Sequence, residues 1–342
     1  MRFAAALSAI LGSGAMLATV AVAQPLPMST PTHGPRLILL GTGGGPLLRT
    51  ARAQSASAIV LPEGLLLVDA GEGSIERMTE AGLGPDRIKT ILITHLHIDH
   101  VAALWSLLLH RWAMRAQGQL EVVGPPGTRA MVDALARASG PIVEASRALG
   151  ADAPAIASMV TVTECGADPE QQVTLSAFPS LRIAFARNSH LDADQILDVK
   201  RPVSLAYRID ASGWSALFTG DTGPSPAVEA LGRNVSLMVA EVVDVDAAME
   251  VVERSMHLKR DDLPGLRTRM AAGHLDAQAL GKMATTIAPQ LLVISHISPG
   301  VSSPSDGSDK RLSAQIARSF SGRTLFAHDL MTIDLQSRRP AH

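Results

Sequence analysis

The sequence predicts an α+β fold in which two β-sheets pack face to face with helices on the outside. Three observations predict it. Short apolar runs bounded by Gly, Asp and Pro recur along the chain and read as strands. Stretches with apolar residues at helical spacing are interleaved with them. The two halves carry similar mixed orders of elements without a sequence repeat, which two packed sheets flanked by helices accommodate.

The elements follow in order. After a Pro-rich leader, residues 24–35, a strand is expected at Arg36–Leu40. It runs into Gly41-Thr42-Gly43-Gly44-Gly45-Pro46, which lacks the G-x-G-x-x-G spacing and following helix of a dinucleotide site. Strands are expected at Ala56–Leu61 and Leu65–Asp69, a helix at Ile75–Ala81, and a strand at Ile88–Thr94. One helix with a broad apolar face is expected over His100–Ala116. Glu121–Val123 and Thr128–Ala138 form a further strand–helix pair. Residues 139–172, rich in Ala, Gly and Pro, are expected to cover the functional site as a helix-loop element. Strands follow near Val173–Ala177, Leu181–Ala186, Val203–Asp210 and Trp214–Thr219. Leu237–Val243, a helix near Leu275–Ile287 and Leu291–Ser295 restore strand–helix alternation. A helix near Lys310–Ser319 and a strand near Thr324–Ala327 close the chain.

Met1-Arg2 followed by an apolar stretch of small residues, ending in Ala21-Val22-Ala23 before Gln24, has the form of a cleavable export signal. Residues 1–23 are therefore expected to be removed. The mature chain is expected in the periplasm or secreted, with no stable membrane insertion after cleavage. A formal charge of −2 argues against a general polyanion binder, and 3% aromatic residues leave little for a base-stacking platform. Cys165 is the only cysteine, which excludes an intramolecular disulfide and a Cys-based zinc site.

The most informative segment is Thr94-His95-Leu96-His97-Ile98-Asp99-His100. It places three imidazoles and a carboxylate within six residues, more ligand capacity than one cation needs. Alternate residues of an extended segment share a side, so His95 and His97 can converge while Asp99 and His100 turn toward a second point. Downstream, His190, Asp221 and His296 each stand where an apolar run ends. That is where ligands meet at a sheet edge.

The H-x-H-x-D-H segment with these later residues resembles the metallo-β-lactamase superfamily. The resemblance implies a four-layer αβ/βα sandwich with two divalent metal ions at one edge. It implies that His95, His97 and His190 hold one ion, that Asp99, His100 and His296 hold the other, and that Asp221 bridges them. Asp69 matches a supporting hydrogen-bond acceptor. Zinc is the default by ligand type, with Mn2+ or Fe2+ left open.

Thr219-Gly220-Asp221-Thr222-Gly223, Glu241, Gly273-His274-Leu275-Asp276, Asp69-Ala70-Gly71-Glu72-Gly73 and Gly41-Thr42-Gly43-Gly44 resemble the ribonuclease Z/arylsulfatase-like branch over about Arg36 to Asp334. There Glu241 pairs with His274. Ala240, Val242 and Val243 depart from the branch's H-E-A-T-like segment. The resemblance implies a metal-dependent hydrolase in which a metal-bridging hydroxide attacks the substrate, Asp99 accepts a proton, and His274, oriented by Glu241, serves the leaving group or an oxyanion. Small, anionic phosphodiesters or sulfate esters are the expected substrates.

With an export signal and no visible basic arm, nucleic acid is not the expected substrate. Arg49 and Arg52 are candidates to meet an anion, and Glu250–Arg269 reads as a solvated surface segment. A homodimer is compatible with the resemblance. The rival functions are a lactonase or β-lactam hydrolase, a ribonuclease Z-type tRNA 3′-end endonuclease, a single-iron sulfur dioxygenase, and a non-catalytic binding protein.

Overall fold

A computed structural model describes residues 34–147, 154–166, 172–192, 202–299 and 308–341. The expected export signal, its cleavage point before Gln24 and nearly all of the Pro-rich leader lie outside the described residues.

The chain begins with β1 (Arg36–Gly41), β2 (Ala56–Leu61), β3 (Gly64–Val68), α1 (Ser74–Glu80) and β4 (Ile88–Leu92). Next come α2 (Ile98–Val101), α3 (Leu104–Ala113), β5 (Leu120–Gly124), α4 (Thr128–Ala138), α5 (Gly140–Arg147) and β6 (Val160–Glu164). The second half contains β7 (Gln172–Val173), β8 (Arg182–Arg187), β9 (Leu205–Ala211), β10 (Trp214–Phe218), α6 (Pro226–Gly232) and β11 (Leu237–Val243). It continues through α7 (Val245–Ser255), α8 (Leu263–Gly273), α9 (Ala277–Ile287), β12 (Leu291–Ser298), α10 (Ser308–Ile316), β13 (Thr324–Phe326), β14 (Thr332–Asp334) and β15 (Arg339–Ala341).

Two sheets result, ordered β15-β14-β1-β2-β3-β4-β5-β6 and β13-β12-β11-β10-β9-β8-β7. Strand alternation explains how they stack. In β1, Leu37 and Leu39 face the layer between the sheets, while Ile38 and Leu40 face the helices; in β12, Leu291 and Val293 face inward, and Leu292 and Ile294 outward. Three apolar layers follow. One lies between the sheets, one joins the first sheet to α1, α3 and α4, and one joins the second sheet to α6, α9 and α10. This is the expected four-layer αβ/βα sandwich.

Strands β3 to β6 are parallel neighbours, as are β10 to β13. Their C-terminal ends carry the candidate site. Two bonds lock the sheets together beside it: Tyr207 Oη donates to the Ile93 carbonyl (3.0 Å), and the Leu205 amide donates to the Thr94 carbonyl (2.9 Å).

Several expectations change. His100–Ala116 is two helices, because α2 ends at Val101 and α3 starts only at Leu104. The strand near Val173–Ala177 shrinks to Gln172–Val173. The described parts of 139–172 do not cover the site: α5 packs on α4, and β6 extends the edge of the first sheet beside β5. The chain does not close at Ala327. It returns to the first sheet, where β14 pairs with β1 and β15 with β14.

Candidate metal centre

The loop after β4 is held in place by Asp69. This residue leaves β3 with φ 63°, a left-handed conformation that costs on the order of 1–3 kcal/mol in a non-glycine residue and persists where the surroundings enforce it. Its Oδ1 accepts from the Thr94 amide (2.8 Å) and its Oδ2 faces His100 Nδ1 at 2.8 Å. His100 is thereby turned so that Nε2 points into the cluster. The same device recurs: His95 Nδ1 lies 3.1 Å from Thr94 Oγ1, and His190 Nδ1 lies 2.9 Å from the Gly273 carbonyl. Tying one ring nitrogen to an oxygen fixes the orientation of the other.

The second half reaches the same point from separate elements. Asp221 follows β10. His296 was expected just beyond a strand but sits within β12, at φ 46°. The register there pairs Ala240 with Ile294 and Val242 with Ile297, so Glu241 alone opposes Ser295 and His296. This β-bulge re-aims His296 and Glu241 toward the site.

Asp221 divides two groups of side chains. Its Oδ2 lies 4.0 Å from His95 Nε2 and 3.9 Å from His190 Nε2. Its Oδ1 lies 3.4 Å from His100 Nε2 and 3.2 Å from His296 Nε2. Within the first group, His190 Nε2 and His97 Nδ1 are 3.1 Å apart; within the second, Asp99 Oδ2 is 3.2 Å from His296 Nε2. Donor atoms on a tetrahedral ion with bonds of ~2.0–2.1 Å stand roughly 3.3 Å apart, so these spacings suit cations.

The unpaired atoms agree. His95 Nε2, His100 Nε2 and Asp221 Oδ1 are buried without a hydrogen-bond partner, each an omission worth about 1–3 kcal/mol unless something fills the gap. The two groups, His95/His97/His190 and Asp99/His100/Asp221/His296, can each hold an ion.

Their electrostatics differ. Burial and neighbouring imidazoles push His95 down from the ordinary value, and burial takes His190 to about 3, so both rings are neutral donors. Burial also opposes a proton on His100 and His296, but Asp221 and the other carboxylates beside them outweigh it and raise both. Asp99 is buried as well, yet His100 and His296 hold it far below the usual carboxylate range.

Glu241 and His274 meet beside this cluster. His274 Nδ1 lies 2.7 Å from Glu241 Oε2, while Glu241 Oε1 accepts from the Thr222 amide (2.6 Å). Burial disfavours the imidazolium, but Glu241 overrides it and His274 rises to about 9. His274 does not cap the helix after it; Asp276 does, accepting from the Ala279 amide at 2.7 Å. His274 also groups with His190 and Asp221 at metal-ligand range.

A cavity of about 310 Å³ opens over the cluster. Among the described residues it is lined by the polar groups of His97, Asp99, Asp221, His274, His296 and Ser298, by Gly45, and by the apolar Pro46, Ile98, Val243, Leu266 and Met270. Leu266 and Met270 belong to α8, so part of Glu250–Arg269 walls the site instead of being simply solvated. Arg52 does not meet a ligand there. It is buried and donates to Thr42 Oγ1 (2.7 Å) and the Ala327 carbonyl (2.6 Å). Arg49, half-buried, is not in the lining.

Two contributors escaped sequence reasoning. The Gly45 amide donates to Asp99 Oδ2 (2.8 Å), and a Cβ at Gly45 would collide with the Asp99 side chain. The Gly-Thr-Gly-Gly-Gly run that fails as a nucleotide loop is thus packed against a ligand. Asp329 accepts from the Thr42 amide (3.1 Å), Thr42 Oγ1 (2.7 Å), the Ala53 amide (2.7 Å) and Arg77 Nε (3.0 Å), holding that run from below. An isolated Asp near the chain end carries no sequence signal for this.

The chain belongs to the beta-lactamase superfamily domain family, whose model matches residues 65–297. It is homologous to proteins named ribonuclease Z: 26% identical over 310 residues to that of Mycobacterium marinum, covering 88% of this chain and 99% of the relative. The relative from Mycobacterium bovis is 27% identical over 311 residues, covering 89% of this chain and 99% of its own length. Among solved structures, the metallo-beta-lactamase fold protein YhfI from Bacillus subtilis aligns with TM-score 0.61 and 16% identity, covering 87% of this chain and 98% of its own. The short form of human tRNase Z aligns with TM-score 0.59 and 20% identity, covering 88% and 99%. These matches support a metal-dependent hydrolase acting on ester bonds. The named ribonucleases run against the expectation that nucleic acid is not a substrate, and make RNA a substrate to be tested.

Proposed function

We propose that this superfamily member is an exported, dinuclear metal hydrolase of small phosphodiesters or sulfate esters. The carrying observation is Asp221, whose two oxygens face two separate groups of donor atoms. In this reading His95, His97 and His190 would hold one ion and Asp99, His100 and His296 the other, with Asp221 available to both. Zinc is proposed because every donor is an imidazole nitrogen or carboxylate oxygen and no redox step is needed. When bound, two such cations supply a nucleophilic water at neutral pH and neutralise charge gathering on the attacked ester.

The chain's own groups complete the chemistry. Asp99, with Oδ2 held by the Gly45 amide, lines the cavity and can take a proton from the attacking water. Glu241 holds His274 at Nδ1, leaving Nε2–H to donate to the departing oxygen or to an oxyanion. A cavity of about 310 Å³ without Lys or Arg in its described lining favours a small substrate over a polyanionic strand.

A second reading, a ribonuclease Z-type endonuclease, is favoured by relatives aligned over nearly their whole length. A hydrolysis panel on the metal-loaded mature protein separates the two. It contains aryl phosphodiester, aryl sulfate, lactone and cephalosporin substrates and a tRNA precursor with a 3′ trailer. Turnover of an aryl phosphodiester or sulfate with no tRNA cleavage is expected; efficient 3′ processing of the precursor would replace the first reading with the second. Cell fractionation tests export, with the mature chain expected to begin near Gln24 outside the cytoplasm.

A further inference from the structure

Leu266, Met270 and His274 follow one another at four-residue spacing, so α8 carries the first two on one face that leads to the third. All three line the cavity over the metal cluster. Leu266 and Met270 are only half-buried and pack into none of the three hydrophobic layers. Pro46 and Ile98 are exposed and Val243 is buried at the end of β11; they too line the cavity and belong to none of the three layers. Ile98 is 61% exposed, an unusual place for a large aliphatic side chain. Five apolar residues from four separate segments thus line one cavity, and all but Val243 lie outside the buried core. The rest of the described lining is His97, Asp99, Asp221, His274 and His296, with Gly45 and Ser298.

We propose that the natural substrate is an ester of phosphate or sulfate with an apolar arm of a few carbons, and that Leu266 and Met270 select it by seating that arm. The proposal rests on the hydrolase reading above for its anionic end only. The anion lies at the His/Asp side, and the ester oxygen beside His274. The carbon chain bound to that oxygen then runs back along α8 over Met270 and Leu266. Arginine or lysine would be needed on this wall for a polynucleotide to continue past the scissile bond, and the described lining contains neither.

Two readouts test this on the metal-loaded protein. One is hydrolysis of dimethyl phosphate against butyl methyl phosphate, followed by phosphorus NMR. The other is calorimetric binding of methylphosphonate against butylphosphonate. Burying a methylene is worth roughly a three- to four-fold gain, so three methylenes should favour the butyl compound on the order of 50-fold in kcat/KM and in Kd. Met270→Asn should collapse both ratios to about 5-fold or less, and Met270→Leu should restore them, since it keeps the side chain apolar at similar volume. Circular dichroism melting confirms that each variant is folded.

Equal handling of methyl and butyl compounds by the unaltered protein would overturn the proposal while leaving the hydrolase reading intact. Met270→Asn weakening both compounds equally would overturn it too, by giving Met270 a merely structural role. If neither the diesters nor an aryl sulfate is cleaved but the phosphonate ratio is present and collapses in Met270→Asn, the hydrolase reading falls and the apolar subsite stands.

Discussion

The loop between β4 and α2 and the C-terminal half of the chain build the same cluster in opposite ways. That loop and the first turn of α2 bring His95, His97, Asp99 and His100 from six consecutive residues, oriented by Asp69, Thr94 and Gly45, all from the first half of the chain. The C-terminal half brings Asp221, Glu241, His274 and His296 from the end of β10, a bulge between two strands, and the junction of α8 and α9. Damage to a loop support should therefore stay local. Damage to Glu241 should spread, because this one carboxylate touches the Thr222 amide beside Asp221, His274, and the surroundings of His296 at 3.8 Å.

The largest effect is expected at the point where both regions meet. Asp221→Ala removes the carboxylate that, among the described residues, faces both groups. Metal content, measured by plasma emission on fully supplemented protein, should fall from about two ions per chain to one or fewer, and turnover by about 10⁴-fold or more. A count of two in the variant, or of one in the unaltered protein, would break the dinuclear arrangement.

Next comes His274→Ala. Expected are two retained metals, a retained fold, and turnover lowered on the order of 10²–10⁴-fold. The loss should be greatest for poor leaving groups and shrink for nitrophenolate, which departs without protonation. A uniform loss would assign His274 to oxyanion binding. Loss of metal would make it a ligand, a role its grouping with His190 and Asp221 also permits.

Asp69→Asn against Glu241→Gln sharpens the contrast between regions. Asp69→Asn should weaken metal binding about 10–100-fold, as loss of a ligand's outer partner does, and leave the leaving-group dependence unchanged. Glu241→Gln should both lower metal affinity and reproduce part of the His274 leaving-group pattern. Titration with a chromophoric chelator measures the first property and a nitrophenyl-to-alkyl ester rate ratio the second. Identical profiles for the two variants would abolish the distinction.

The same contrast explains what the sequence displayed. The loop motif is contiguous, so ligand density alone exposes it. Strands buried on both faces, such as Leu37–Leu40 and Leu291–Ile294, are unbroken apolar runs. Strands β6, β14 and β15 are not legible because Val160–Glu164, Thr332–Asp334 and Arg339–Ala341 are short and substantially polar; β6 and β15 are the two edges of the first sheet and β14 lies next to one of them. The contribution of α8 was hidden because its apolar residues face a cavity and give no core-facing periodicity. The position of His296 inside a strand depends on a bulge, which is a property of pairing between β11 and β12.

The smallest catalytic effect is expected at Asp329, which belongs to neither ligand region but holds the strand end and glycine run leading to Gly45. Its Oδ1 takes two donors from Thr42, and its Oδ2 takes the Ala53 amide and Arg77 Nε. Asn at this position keeps one acceptor oxygen and turns an NH₂ toward the other pair of donors, so about two hydrogen bonds are lost whichever way the amide is placed. With a charged acceptor removed from a site only 8% exposed, the cost should be about 2–3 kcal/mol, or roughly 5 °C or more in Tm. Turnover should fall by less than about 10-fold, because the Gly45–Asp99 bond is made directly and Arg52 still braces Thr42. Calorimetric melting set beside kcat at one temperature checks this. A large loss of turnover without a loss of Tm would place Asp329 in control of Asp99 itself, and would extend the locally fixed region of the site across the sheet to the end of the chain.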